Sequence, residues 1–121
     1  MVDFCFNVEE LPQLAEKYIA SGAGMVGGGG AANAAVAVTR LGGNARLAAR
    51  VGNDLFGNII IEQLQKDGVD CSLVQVTANA SSSFSSVLIN HQGERQIVNF
   101  RGAGLSDDSS ALHSLLSLIH I

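Results

Sequence analysis

The run Gly27-Gly28-Gly29-Gly30-Ala31-Ala32-Asn33 constrains this chain more than any other segment. Four glycines lead straight into an alanine-rich stretch with the composition of a helix. Glycine has no Cβ, so its backbone can come close to a ligand or to another part of the chain. A helix that starts there leaves several backbone N–H groups without an intrahelical partner. Asn33, in the first turn, adds a side-chain donor and acceptor beside them. The segment reads as a cradle for a polyhydroxylated or anionic small molecule.

The flanking sequence predicts one α/β domain. Ala31 to Leu41 is a small-faced helix, able to sit close to a sheet and stopped by Gly42-Gly43. Ala45 to Val51 is a short strand, and Gly52 precedes a helix capped by Asn53 or Asp54. In that helix Phe56, Ile59, Ile60 and Leu64 recur at i, i+3, i+4 and i+8, which makes one apolar stripe. Lys66 suits its last turn and Gly68 its end. Leu73 to Val76 is the next strand. Helix, strand, helix, strand in this order predicts a parallel sheet covered by helices. Upstream, Val2 to Val8 reads as the end of a buried strand, Leu11-Pro12 as a turn, and Glu16 to Val26 as irregular or β structure.

The texture changes after Ser82. Ser82 to Asn90 and Arg95 to Arg101 are β-like runs joined by His91-Gln92-Gly93-Glu94, a hairpin. In the second run Val98 and Phe100 share one face, and Arg95, Ile97, Asn99 and Arg101 share the other. A lid over a ligand fits this pattern, and so does an edge hairpin half in solvent.

Composition removes several classes of function. The formal net charge is −4 and the seven basic residues are scattered, which argues against nucleic acid and anionic membrane as partners. Cys5 and Cys71 show no metal-ligand spacing and read as reduced thiols of a cytoplasmic protein. His91, His113 and His120 are isolated. The uncharged run Tyr18 to Thr39 approaches the length of a membrane span but is rich in glycine, so a membrane location is not expected. Gly22-Ala23-Gly24-Met25-Val26-Gly27 matches G-x-G-x-x-G, yet it is followed by more glycine rather than an immediate helix, which argues against a dinucleotide site. The G-x-x-x-x-G-K-[ST] spacing of a P-loop does not occur.

Taken together, Gly28-Gly29-x-Ala31-x-Asn33-x-Ala35, then Gly42 and Gly52, resemble the first signature of the PfkB (ribokinase-like) family of carbohydrate kinases. Val2-Asp3, Leu11-Pro12, Arg40-Leu41-Gly42-Gly43, Arg50-Val51-Gly52-Asn53-Asp54, Phe56-Gly57, Gly68-Val69-Asp70 and Gly93-Glu94-Arg95 follow that family's order and spacing. The resemblance covers roughly residues 2 to 113. It implies a ribokinase-like α/β fold, a partial parallel sheet flanked by helices with a β-hairpin lid. It also implies transfer of the ATP γ-phosphoryl group to a sugar hydroxyl.

Residue by residue, the resemblance assigns Asp3 to the aspartate at the end of the first strand that accepts hydrogen bonds from sugar hydroxyls. Gly28 and Gly29 match the pair whose backbone approaches the sugar, and Asn33 matches the asparagine that binds it. Elementary chemistry agrees, because an ionised carboxylate accepts from hydroxyls while glycine N–H groups and an amide complete the cradle. Without the family pattern, Asp3 reads as a strand-end or turn aspartate. Lys17 and Asn99 are similar to the lysine and lid asparagine that meet the sulfonate in sulfofructose kinases of this family. A solvated surface lysine is the other reading of Lys17.

The family's catalytic base and phosphoryl anion hole lie in a G-A-G-D segment of its second half. Gly22-Ala23-Gly24-Met25 and Gly102-Ala103-Gly104-Leu105 look like it but lack the aspartate, so neither is read as catalytic. Residues 1–113 are therefore expected to be the N-terminal part of a sugar kinase domain, with lid segments at about 10–27 and 82–102. On this reading the base lies beyond the chain, and the fragment is inactive with no cofactor of its own. ATP and Mg²⁺ would serve the full-length enzyme, and the lids of two subunits would pair in a homodimer. Residues 114–121 resemble translated adapter read-through, a non-native tail, or else the end of an amphipathic helix. Two other functions stay open: a nucleoside kinase of the same fold, and a binding module in which the glycines serve only close packing.

Overall fold

The computed structural model describes residues 1–105, so the tail at 114–121 and the end of the expected 1–113 unit lie outside the described residues. The elements run β1 (Val2–Asn7), β2 (Gly22–Gly27), α1 (Gly30–Arg40), β3 (Arg46–Gly52), α2 (Leu55–Lys66), β4 (Asp70–Thr77), β5 (Phe84–Ile89) and β6 (Arg95–Phe100). They form two sheets. β3 and β4 make a parallel pair connected through α2, the crossover that parallel strands require. A four-stranded sheet has the order β2-β1-β5-β6, with β1 and β5 parallel and both outer pairs antiparallel.

Both helices end as their glycines dictate. After α1, Gly42 adopts φ +88°, its N–H donates to the Thr39 carbonyl, and the Gly43 N–H donates to that of Val38. After α2, Gly68 at φ +85° repeats the motif with Gln65, and the Val69 N–H donates to Leu64. These left-handed turns satisfy the last helical carbonyls and suit glycine. Of the two candidate caps of α2, the structure selects Asp54, whose Oδ1 accepts from the Gly57 N–H at 2.8 Å.

The core gathers Val2, Ala35, Leu47, Val51, Ile60, Leu64 and Val69. The apolar stripe of α2 faces it, with Ile60 and Leu64 buried and Phe56 and Ile59 packed at its edge. α1 places Ala35 in the core and packs Ala32 and Val36 against it. Ala35 is its buried residue, and the flank carrying Asn33, Val36 and Ala37 lines a cavity.

β1 also differs from the expected end of a buried strand. It lies between β2 and β5, with Val2 buried and the rest part-exposed down to an exposed Asn7. Its alternate residues serve two faces. On one, Phe4 meets Phe56 and Phe84 edge-on, with centroids 5.6 and 6.2 Å apart, and Phe84 stacks at a tilt on Phe56 at 4.5 Å and on Phe100 at 5.2 Å. This aromatic cluster docks the four-stranded sheet onto α2. The hairpin turn forms as read, with Gly93 at φ +80°. β6 keeps the predicted alternation in register, but both of its faces are exposed among the described residues, with Ile97 at 57% and Val98 at 66%. The G-x-G-x-x-G segment is β2 itself, a strand rather than a strand-to-helix turn, which removes its dinucleotide reading.

Candidate functional site

The glycine run turns the chain from β2 into α1. The Gly28 N–H donates to the Met1 carbonyl at 3.0 Å, which ties the run to the start of β1. Gly29 adopts φ +97°, ψ 134° as the N-cap, a conformation that L side chains rarely adopt. Its carbonyl accepts from the Asn33 N–H at 2.9 Å and so closes the first helical turn. Among the described residues no side chain caps α1, and no acidic residue occupies its first turn. Its leading N–H groups and the positive end of its dipole are thus left for a ligand oxygen.

Asp3 meets this run directly. A Cβ built on Gly28 would lie 2.7 Å from the Asp3 Oδ2 and 3.3 Å from Oδ1. Only glycine leaves the carboxylate in that place. Asp3 is the second residue of β1, which continues to Asn7.

Gly28 and Asn33 both line a cavity of about 860 Å³ between β2, α1 and α2. Met1, Val26 and Gln63 contribute to its wall, and Arg40 and Asp67, an exposed ion pair at 3.3 Å, stand at its helix C-terminal end. Asp3 backs onto Gly28 and is not on the cavity wall. The structure therefore links Asp3 to Gly28, and Gly28 to Asn33, in series.

The strand register adds Asn99. Asp3 pairs with Val26 on one side and Ser85 on the other, and Ser85 pairs with Asn99, so all four side chains share one face. The Ser85 Oγ donates to the Asn99 Oδ1 and also lies 3.2 Å from the Met1 Sδ. Sequence reasoning missed Ser85, and nothing local marks it, because its role comes from two non-local strand pairings. Lys17 lies apart, exposed in the connection between β1 and β2. That connection is pinned by the Tyr18 hydroxyl, which accepts from the Gln13 and Leu14 N–H groups at 3.3 and 3.4 Å. Gly102-Ala103-Gly104 follows β6 and packs back on Asn79 to Ser82.

A second constellation was also missed. Asp54 not only caps α2: its Oδ1 also accepts from the Ser82 Oγ and its Oδ2 from the Ser82 N–H, each at 2.8 Å. The Ser82 Oγ in turn accepts from the Gly52 N–H at 2.9 Å, and Ser82 is fully buried. Burial pushes the Asp54 pKa up, but the hydrogen bonds from Ser82 and Gly57 outweigh it and hold the carboxyl below its ordinary value. The triple serine Ser81-Ser82-Ser83 ahead of β5 was the available signal.

The chain belongs to the pfkB family carbohydrate kinases, whose family model matches residues 1–119. It is 36% identical to the ribokinase of Mus musculus over 92 residues, which are 76% of this chain and 28% of that protein. The structure of Arabidopsis thaliana ribokinase complexed with ribose and ATP superposes with a TM-score of 0.73 at 26% identity, covering 89% of this chain and 38% of that one. Ribokinase from Giardia lamblia shares the fold, with a TM-score of 0.81 at 21% identity over 97% of this chain and 38% of its own. The chain thus spans 28–38% of the length of these relatives, and its ribokinase-like α/β fold is established. No helix among the described residues is long and apolar enough to cross a membrane.

Proposed function

We propose that the whole protein is an ATP-dependent sugar kinase and that this chain supplies its sugar-binding part. The observation that carries the proposal is the Asp3 carboxylate lodged against Gly28 at the uncapped start of α1, with Asn33 one turn further on. Asp3 would accept hydrogen bonds from sugar hydroxyls, the N–H groups of Gly29 and Gly30 would donate beside that of Gly28, which Met1 holds, and Asn33 would do both. A cradle of this kind orients a flexible polyol before any bond changes, and phosphoryl transfer depends largely on such positioning. The ribose-bound Arabidopsis relative supports a sugar as the acceptor.

The sheet β2-β1-β5-β6 would act as the lid, with Asn99 brought towards the sugar through Ser85. Exposed Ile97, Val98 and Phe100 on β6 favour pairing of two such lids in a homodimer. A sulfosugar would engage Lys17 as well, if its loop folded over the site. Mg²⁺–ATP would supply the phosphoryl group. Among the described residues no group of three His, Cys, Asp or Glu side chains is arranged to hold a metal ion. The two free cysteines fit a cytoplasmic protein.

A coupled ADP-release assay tests the proposal. The uninterrupted parent reading frame should consume ATP when D-ribose or D-fructose is added, and residues 1–121 alone should not. Turnover with nucleosides only would replace the acceptor class, and turnover by the chain alone would overturn its assignment as a non-catalytic part.

A further inference from the structure

We infer that Asp54 and Ser82 are positioning residues: together they clamp the root of the β5–β6 hairpin to the start of α2 and so set where the four-stranded sheet that carries Asp3 and Asn99 stands relative to α1 and α2. The inference rests on the sugar-site reading above for its functional consequence. The clamp itself rests on geometry alone.

Asp54 divides its two oxygens between different tasks. Oδ1 holds the Gly57 N–H, which is the helix cap, and the Ser82 hydroxyl; Oδ2 holds the Ser82 backbone N–H. A cap needs only the first of these bonds. The other two reach across 28 positions of sequence to the residue two before β5. Ser82 passes the connection on by accepting from the Gly52 N–H at the end of β3. One serine thus joins the last residue of β3, the N-cap of α2 and the foot of the hairpin.

The second foot is fixed to the first. The Ser81 N–H donates to the Ala103 carbonyl and the Gly102 N–H donates to the Ser83 Oγ, both at 2.8 Å. Three glycines are packed too tightly here for any side chain. A Cβ on Gly52 would strike the Ala80 carbonyl, one on Gly57 the Gly52 carbonyl, and one on Gly102 the Ser81 carbonyl. Both ends of the hairpin therefore leave from one rigid knot, whereas β6 is exposed along its whole length. Three residues beyond Ser82 on the same run lies Ser85, which pairs with Asp3 and hydrogen-bonds Asn99. Because β5 pairs with β1 over Val2–Asn7 and with β6 over Arg95–Phe100, tilting the hairpin at its root would move Asp3 and Asn99 together relative to Asn33 on α1.

Two substitutions separate the clamp from the cap. Asp54→Ser keeps an oxygen for the Gly57 N–H but is too short to hold Ser82 as well. Ser82→Ala removes the hydroxyl and leaves the cap untouched. Amide hydrogen exchange of the 121-residue chain would be followed for residues 84–100 and 55–66, with D-ribose and D-fructose affinities measured by calorimetry. In both variants we expect exchange in 84–100 to rise about tenfold while that in 55–66 stays within about twofold, and sugar affinity to fall at least tenfold. Unchanged exchange in 84–100, or equal loss of protection in both segments, would overturn the clamp. Clamp-specific exchange with sugar affinity unaltered would overturn its positioning role. The expected exchange changes in both variants, together with a wild-type chain that binds neither sugar, would sustain the clamp and overturn the sugar reading instead.

Discussion

The Asp3 carboxylate fills the space that a side chain on Gly28 would need, with Oδ2 standing 2.7 Å from the point where a Gly28 Cβ would lie. An acidic group on β1 and a bare stretch of backbone leading into α1 are thus one feature. Gly28 is not among the positive-φ glycines, so alanine is compatible with its backbone and the conflict is with Asp3 itself.

Gly28→Ala should therefore displace the carboxylate more than it unfolds the chain. We expect sugar affinity to drop at least tenfold, about 1.4 kcal/mol, with an overpacking cost to stability of about 1–2 kcal/mol. Paired calorimetry and urea unfolding check both numbers.

Glycines elsewhere separate by what surrounds them. Gly57→Ala drives a methyl group into the Gly52 carbonyl, backbone that cannot swing aside, and should cost about 3 kcal/mol or more. Gly24→Ala, in β2, meets nothing within 4 Å at a non-positive φ and should change stability by no more than about 0.5 kcal/mol in either direction. Urea midpoints of the two variants provide the comparison.

Asp54 gives stability a defined acid dependence. Its carboxyl is held below the ordinary value of 3.8 despite burial, by the hydrogen bonds from Ser82 and Gly57. The unfolded chain then binds more protons near that value, so the contribution is complete above it and is lost as pH falls through the lower folded value. The stability gap between wild type and Asp54→Asn should be constant from pH 7 to 5 and should shrink below about pH 4. Asp70, held low by Ser72 and Arg46, shapes both profiles equally and cancels in the difference. A gap that widens on acidification would contradict the assignment.

Phe84 touches Phe4, Phe56 and Phe100 and so couples three strands and a helix. Phe84→Ala should cost about 3 kcal/mol, whereas Phe100→Ala, at 44% exposure with a single aromatic partner, should cost clearly less. Denaturant titration of the two variants ranks them.

What the sequence disclosed was local. The glycines at 42–43 and 68 stop helices through backbone geometry that one or two residues determine, and the stripe Phe56, Ile59, Ile60, Leu64 repeats within one element. Gly93 likewise marks the hairpin turn by itself. What it withheld depended on distant pairing. That β1 lies between β2 and β5, and not inside the parallel sheet, is decided by registers spanning most of the chain. The Asp54–Ser82 bonds cross 28 positions, so Asp54 looked like a cap and nothing more. The same limit applies at the site. Gly28, Gly29 and Asn33 were legible as one motif, but Asp3 joined them only through the family pattern, and Ser85 had no local mark at all.

The most direct measurement is calorimetric titration of the folded chain, its fold verified by far-UV circular dichroism, with D-ribose and D-fructose alongside Asp3→Ala and Asn33→Asp. The account predicts saturable binding of at least one sugar by the wild-type chain and its loss in each variant. A folded chain that takes up neither sugar, or variants that bind as the wild type does, would contradict it.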